Sequence, residues 1–434
     1  MQEPAPLRND CFALPPGVDW TPVEDALARL QSGLRCVVGT RDLAIDAAVG
    51  RVLASEVVAA RNHPPFTNSA VDGYGFAFAS LGDAPHRLPL CGGRAAAGQP
   101  FAGSVPPGQA LRILTGAAVP QGVDTIVLEE DVTGGDVTGD NVTGGDVTGG
   151  GAMVAFSRGL KPGANTRPAA EDVAAGTEIL AAGRVITPGD IGLLASAGVG
   201  QVTVRRRLRV AILSTGDEVV PLPGVAGAGQ IPDANRPMLK SVITLWGHEV
   251  VDLGHIRDDP EALRRALDRG ATEADAILTT GGASAGDEDH VSALLQAEGR
   301  LTSWRIALKP GRPLALAVWQ GVPVFGLPGN PVAAFVCALI FARPACQMLA
   351  GANWQEPAGY MLPAGFAKSK KPGRREYLRA RIGADGRVEI FASEGSGRVS
   401  GLSFAEGLVS LGMDAEQIEP GDRVRYIPFS QFGL

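Results

Sequence analysis

Residues 279–290, TTGGASAGDEDH, set a glycine turn directly before a run of carboxylates. Backbone N–H groups around Gly281, Gly282 and Gly286, ahead of a helix expected to start near Asp287, suit a phosphate or another oxyanion. Lys309 and Arg312 of LKPGRP add a mobile and a planar positive group. Glu218, Asp258, Asp259 and Asp289 read as carboxylates without a histidine or thiolate partner. That donor set favours a hard cation such as Mg²⁺ bridging protein to phosphate. Asp287 and Glu288 read as ordinary acids at a helix start. No Cys/His arrangement or Walker A sequence occurs, which leaves electrostatic positioning of a phosphate-bearing ligand as the expected chemistry.

These residues need a scaffold that brings distant loops together. From Arg209 to about Leu349, β-branched runs such as RVAILST and ADAILTT alternate with helical stretches such as PEALRRALDRG. This alternation predicts a doubly wound, mostly parallel α/β sheet over 206–352. STGDE (214–218), RDDP (257–260), the opening stretch, LKPGRP (308–313) and LPGNP (327–331) then fall at one edge of that sheet, where such folds bind ligands. Asn330 and Pro331 read as N-cap and first residue of a helix.

REYLRARIGADGRVEIFAS alternates at period two across Asp385-Gly386, a hairpin within a small β-barrel domain over 353–434. Ahead of residue 206, two mixed domains are expected: 1–62 with 165–205, and an insert at 63–164. Residues 131–150 divide into the pentads DVTGG, DVTGD, NVTGG and DVTGG. An odd period gives no single buried stripe along a strand, so an expanded hairpin loop is expected there. The fold class is therefore multi-domain α/β plus β.

The chain has 434 residues, net charge −7 and 39 basic residues scattered along it. Nothing in that pattern suggests nucleic-acid binding. The five cysteines form no C-x-x-C and read as reduced thiols. The N-terminus lacks the pattern of a secretory signal, and the apolar run 332–342 is short for a bilayer span, so a cytoplasmic protein without a membrane partner is expected.

NSAVDGYG (68–75), RILTGAAVP (112–120), STGDE, GQIPDANRPML (229–239), TTGGASAGDEDH, WRIALKPGRP (304–313) and GLPGNPVAAF (326–335) occur in the order found in the MoeA family. The chain thus resembles the molybdopterin molybdenumtransferases and the E domain of gephyrin over almost its whole length. The resemblance implies a molybdopterin-binding-like α/β domain in an elongated, four-domain subunit. It implies insertion of molybdate into adenylylated molybdopterin with release of AMP, dependent on Mg²⁺, in a homodimer with composite active sites. Transient contact with an adenylyltransferase or with molybdoenzymes would accompany that role.

By motif, the resemblance assigns Asp72 and Thr115 to the partner's cleft, supported by Asp172, and Glu218, Asp258 and Asp289 to metal and pyrophosphate. Lys309 matches the basic residue of KPG. Thr280, Gly281, Gly282, Ser284 and Gly286, with Arg305 and the rigid Pro328 and Pro331, are the implied substrate-binding positions. Arg379 and Ser396 match positions that hold pterin or molybdate, and a dianion calls for Lys309 and Arg379 together. The chain departs from the family pattern at Arg305 (often Lys), Ala170 (usually Gly) and IPDAN, which lacks the usual tyrosine and threonine. An adenylyltransferase or a gephyrin-like scaffold is the alternative; the DGYG and LTG motifs disfavour the first and the retained acids the second.

Overall fold

The computed structural model describes residues 20–135, 141–143, 152–281, 290–311 and 313–434. Arg209–Thr215 is apolar through its interior and buried over nearly its whole length, as a strand covered on both faces must be. It lies in a six-stranded sheet in the order Glu249–Ile256, Arg209–Thr215, Ala276–Thr280, Val322–Leu327, Pro313–Trp319 and Arg300–Arg305. The first four strands are parallel and the last two antiparallel. Helices Asn235–Leu245 and Pro331–Cys337 pack on one face, Pro260–Glu273 and His290–Ala297 on the other. The doubly wound layout predicted for this region is thus present.

Because Pro313–Trp319 runs antiparallel, its start lies at the carboxyl edge of the parallel strands. The described parts of the loops expected at that edge, including LKPGRP, are therefore placed there. The helical stretch Pro331–Leu349 has the length and composition of a membrane span but is 89% buried inside the protein. Its apolar surface forms the main core.

Two segments pack across the expected domain boundaries. The helix Val23–Gly33, expected with the 1–62 segment, sends Val23 and Ala26, with Leu27 and Leu30 beside them, into the core of the α/β domain. That spacing is one helical stripe, and its partner is set by packing rather than chain order. Tyr377, Leu408, Ile427 and Phe432 of the C-terminal region enter the same core. Leu308–Lys309 also pairs in parallel with Arg375–Ile382, so the α/β and β domains share both core and backbone hydrogen bonds.

The C-terminal hairpin pairs Arg375–Ile382 with Val388–Ile390 around Gly386, whose φ of 77° suits the turn. The first domain joins segments on either side of the insert, with Leu53, Val57, Leu180, Leu194 and Val204 in one core. The insert's seven-stranded sheet runs between Gly73 and Phe156. Within the pentad repeat, Thr133–Gly135 and Asn141–Thr143 pair antiparallel, in register Thr133 to Thr143. The repeat therefore extends the insert's sheet, as its Val-Thr pairs favour; the rest of it lies outside the described residues.

Candidate active site

The floor of the site forms where two adjacent strands end. Gly281 follows Ala276–Thr280 with φ 90°, and a Cβ there would lie 2.6 Å from the carbonyl oxygen of Thr215 at the end of the neighbouring strand. Only glycine permits that approach. Asn235, at the start of its helix, ties the loops together: its Nδ2 donates to Thr280 Oγ1 at 2.7 Å and to the Gly329 carbonyl at 2.6 Å. Ser214 Oγ donates to Asp233 at 2.6 Å.

Above this floor is a cavity of about 520 Å³, lined by Glu218, Thr280, Gly281, Lys309, Pro328 and Ser396 among others. Six of the positions expected from sequence therefore converge. Two buried polar atoms of lining residues, Thr215 Oγ1 and Asn235 Oδ1, have no hydrogen-bond partner among the described residues. Buried polar atoms are normally satisfied, and a polar ligand in the cavity supplies what these lack.

The far wall comes from the β domain. Lys309 Nζ lies 3.2 Å from Glu376 Oε1 and 2.6 Å from Glu394 Oε2. Lys368 lies 3.2 Å from Glu376 Oε2 and also pairs with Glu394. The lysine side chains are 14% and 7% exposed and Glu376 is 8% exposed, but Glu394 is 39% exposed. Glu394 is thus the member of the quartet that an incoming anion can displace. Burial alone would raise its carboxyl pKa, but hydrogen bonds from Lys309 and Lys368 outweigh this and hold it below the ordinary 4.5.

With its folded pKa depressed, Glu394 contributes stability above about pH 4.5, lost as pH falls through the lower folded value. Glu394→Gln is therefore expected to flatten the acid limb of a thermal-midpoint profile below pH 4.5. An acid limb identical to that of the parent protein would contradict the assignment.

Other expected residues stand elsewhere. Asp258 lies beside the Ser214–Glu218 loop without lining the cavity: its Oδ2 accepts from Asp217 N at 3.0 Å, and Asp258 N donates to Asp217 Oδ1. Arg379 is buried, donating to the carbonyls of Ser393, Gly395 (3.2 Å) and Arg398 (2.7 Å), with its guanidinium over the Phe391 ring. It shapes the loop carrying Glu394 and Ser396 and does not reach the cavity itself. Arg374, five residues earlier, does line it.

Arg305 ends its strand away from the cavity, its carbonyl accepting from Thr21 N. Pro331 begins its helix, and Asn330 lines the cavity without a side-chain capping bond. Gly282, Ser284, Gly286, Asp289 and Arg312 lie outside the described residues.

Asp72, Thr115 and Asp172 are exposed and do not line their own chain's cavity. Thr115 donates to Asp72 Oδ1 through both Oγ1 and N, each at 2.6 Å. The hydroxyl bond first, then the amide, holds the Asp72 carboxyl below its ordinary pKa. Ala170 adopts φ 62°, a left-handed conformation that glycine would take without steric cost.

Among the described residues no group of three or more His, Cys, Asp or Glu is placed to hold a metal ion. Of the two expected metal ligands among the described residues, Glu218 faces the cavity and Asp258 lies beside its loop. Mg²⁺ commonly takes one or two protein carboxylates and fills its remaining positions with phosphate oxygens and water, and an oxygen-only donor set fits that use.

Residues 21–198 match the MoeA N-terminal region (domain I and II), 211–347 the probable molybdopterin-binding domain and 362–429 the MoeA C-terminal region (domain IV). The molybdopterin molybdenumtransferase of Haemophilus influenzae is 32% identical over 414 residues, 94% of this chain and 98% of that protein. The chain belongs to the MoeA family. A Mycobacterium tuberculosis relative, molybdopterin molybdenumtransferase 2, is also 32% identical, over 87% of this chain and 92% of its own length. A crystal structure of a MoeA protein from Pyrococcus horikoshii superposes with a TM-score of 0.78 at 25% identity, covering 94% of this chain and 100% of that one. As a MoeA enzyme, the chain is a molybdopterin molybdenumtransferase of molybdenum cofactor synthesis.

Proposed function

We propose that this cavity takes adenylylated molybdopterin together with molybdate, and that molybdenum insertion is coupled to release of AMP. The observation that carries this reading is the cavity itself, which sets a glycine-bounded, hydrogen-bonding floor against a wall bearing Lys309 and Arg374. Thr215 and Asn235 offer unmatched polar atoms to the nucleotide end. Lys309, released from Glu394 by the incoming dianion, stabilises the oxyanion beside Arg374, since one cation would leave net charge buried. Water adds across the phosphoanhydride joining AMP to the pterin, one phosphate taking its hydroxyl and the other its proton, and AMP leaves carrying the negative charge that these cations neutralise. Ser396 stays on the loop that Arg379 shapes. Mg²⁺, held by Glu218 with support from Asp258 and Asp289, would supply charge neutralisation between phosphate oxygens and carboxylates.

The exposed Asp72–Thr115 pair, which does not line its own chain's cavity, supports a composite site in which it enters the cleft of a second subunit of a cytoplasmic homodimer. Asp172 would steady it. Co-expression of Asp72→Ala and Lys309→Ala chains tests this. A heterodimer with one intact composite site should restore roughly a quarter of parental activity from two inactive variants by random pairing. Mixed protein as inactive as either variant alone would refute the composite site.

A further inference from the structure

At the opposite edge of the α/β sheet, a second cavity of about 630 Å³ is lined by Arg41, Arg51, Arg206, Arg207 and Arg209. The strand Arg209–Thr215 runs from this basin towards the catalytic cavity. At about 3.3 Å per residue the two lie roughly 20 Å apart. Arg41 comes from a strand of the first domain, Arg51 from the turn after it, and Arg206 and Arg207 from the link into the α/β domain. The basin thus sits on the junction of two domains.

Glu249 and Asp275 are the only carboxylates in its lining, so three positive charges stay uncompensated. Asp275 is taken by Arg209, which donates to it from the backbone N, Nε and Nη2. Arg51 is buried and donates to the Arg205 carbonyl at 2.6 Å. Burial first, then the charges of Arg207 and Arg41, work against its protonated form. Among the described residues no carboxylate pairs with Arg41, Arg206 or Arg207. Like charges gathered around one cavity repel, and a bound anion removes that penalty. Beyond Val37 and Val38 the wall offers no apolar surface for an aromatic base, so the anion is small and densely charged.

We infer that this basin is a second anion site, binding a compact multivalent phosphate: free pyrophosphate or the diphosphate end of a nucleotide. Planar guanidiniums on several sides suit the oxygens of such a group. The site stands independently of the reaction proposed for the catalytic cavity.

Calorimetric titration of the full chain with inorganic pyrophosphate at low ionic strength tests it, with ADP in a parallel arm. Pyrophosphate should bind, and more weakly in 0.3 M salt (our chosen condition) because exposed charges are screened. The double variant Arg41→Ala/Arg207→Ala should bind about tenfold or more weakly. Neither residue makes a side-chain hydrogen bond among the described residues, so the variant's thermal midpoint should not fall. Lys309→Ala should bind pyrophosphate as the parent does, which separates the basin from the catalytic cavity. Equal affinity for pyrophosphate and ADP identifies the free ion as the ligand class; tighter ADP binding assigns a nucleotide. Absence of binding, equal binding by parent and double variant, or loss of binding in Lys309→Ala alone would overturn the proposal.

Discussion

Lys309→Ala is expected to lower molybdate-dependent AMP release by about 100-fold or more, the scale on which loss of one preorganised oxyanion partner acts. The effect should fall on turnover as well as binding, because the charge Lys309 meets grows as AMP departs. Removing it also leaves Glu376 and Glu394 with one lysine, Lys368, in place of two. Breaking a fully buried pair costs about 3–5 kcal/mol. With Glu394 39% exposed, solvent screening brings the expected loss to about 1–3 kcal/mol. Single-turnover AMP release measured well below the variant's thermal midpoint separates the two effects. A variant with normal turnover and only a lowered midpoint would make Lys309 a structural cation.

Gly281→Ala acts on the floor instead of the wall. Its Cβ would meet the Thr215 carbonyl at 2.6 Å and Thr215 Oγ1 at 2.9 Å, on a backbone held at φ 90°. The left-handed conformation alone costs about 1–2 kcal/mol for an alanine. Forcing two strand ends apart adds about 1–3 kcal/mol. A displacement near 1 Å at the floor is expected to lower activity about 100-fold even where the chain remains folded. Gly329→Ala is the matched control: its Cβ would sit 3.7 Å from the Gly281 Cα, an ordinary contact. If both substitutions behave alike, the close approach of the two strands is not what shapes the site.

What could be read from the sequence depended on how local its signal was. The α/β sheet was legible because each strand and helix carries its own period, and the loops at strand ends follow from that order. Glu218, Thr280, Gly281, Lys309, Pro328 and Ser396 accordingly meet in one cavity. Asn235, Glu394 and Arg374 join them from segments far apart in the chain, and no spacing announces such a meeting. Arg379 illustrates the opposite error. Residue type and motif suggested a cation for an anion, but its guanidinium is tied to three loop carbonyls. The GRR of 373–375 was the available signal for Arg374, one residue ahead of the REYLRA motif. The helix Val23–Gly33 carried a readable apolar stripe but no label for the core it would join. The arginine basin escaped notice for the same reason, since Arg41 and Arg207 become neighbours only through folding.

The most direct measurement is the amount of AMP released from purified adenylylated molybdopterin by the full chain, with and without molybdate. The account predicts AMP formation that requires both molybdate and Mg²⁺ and matches the molybdenum bound to pterin one for one. AMP release indifferent to molybdate, or molybdenum insertion with the adenylyl group still attached, would contradict it.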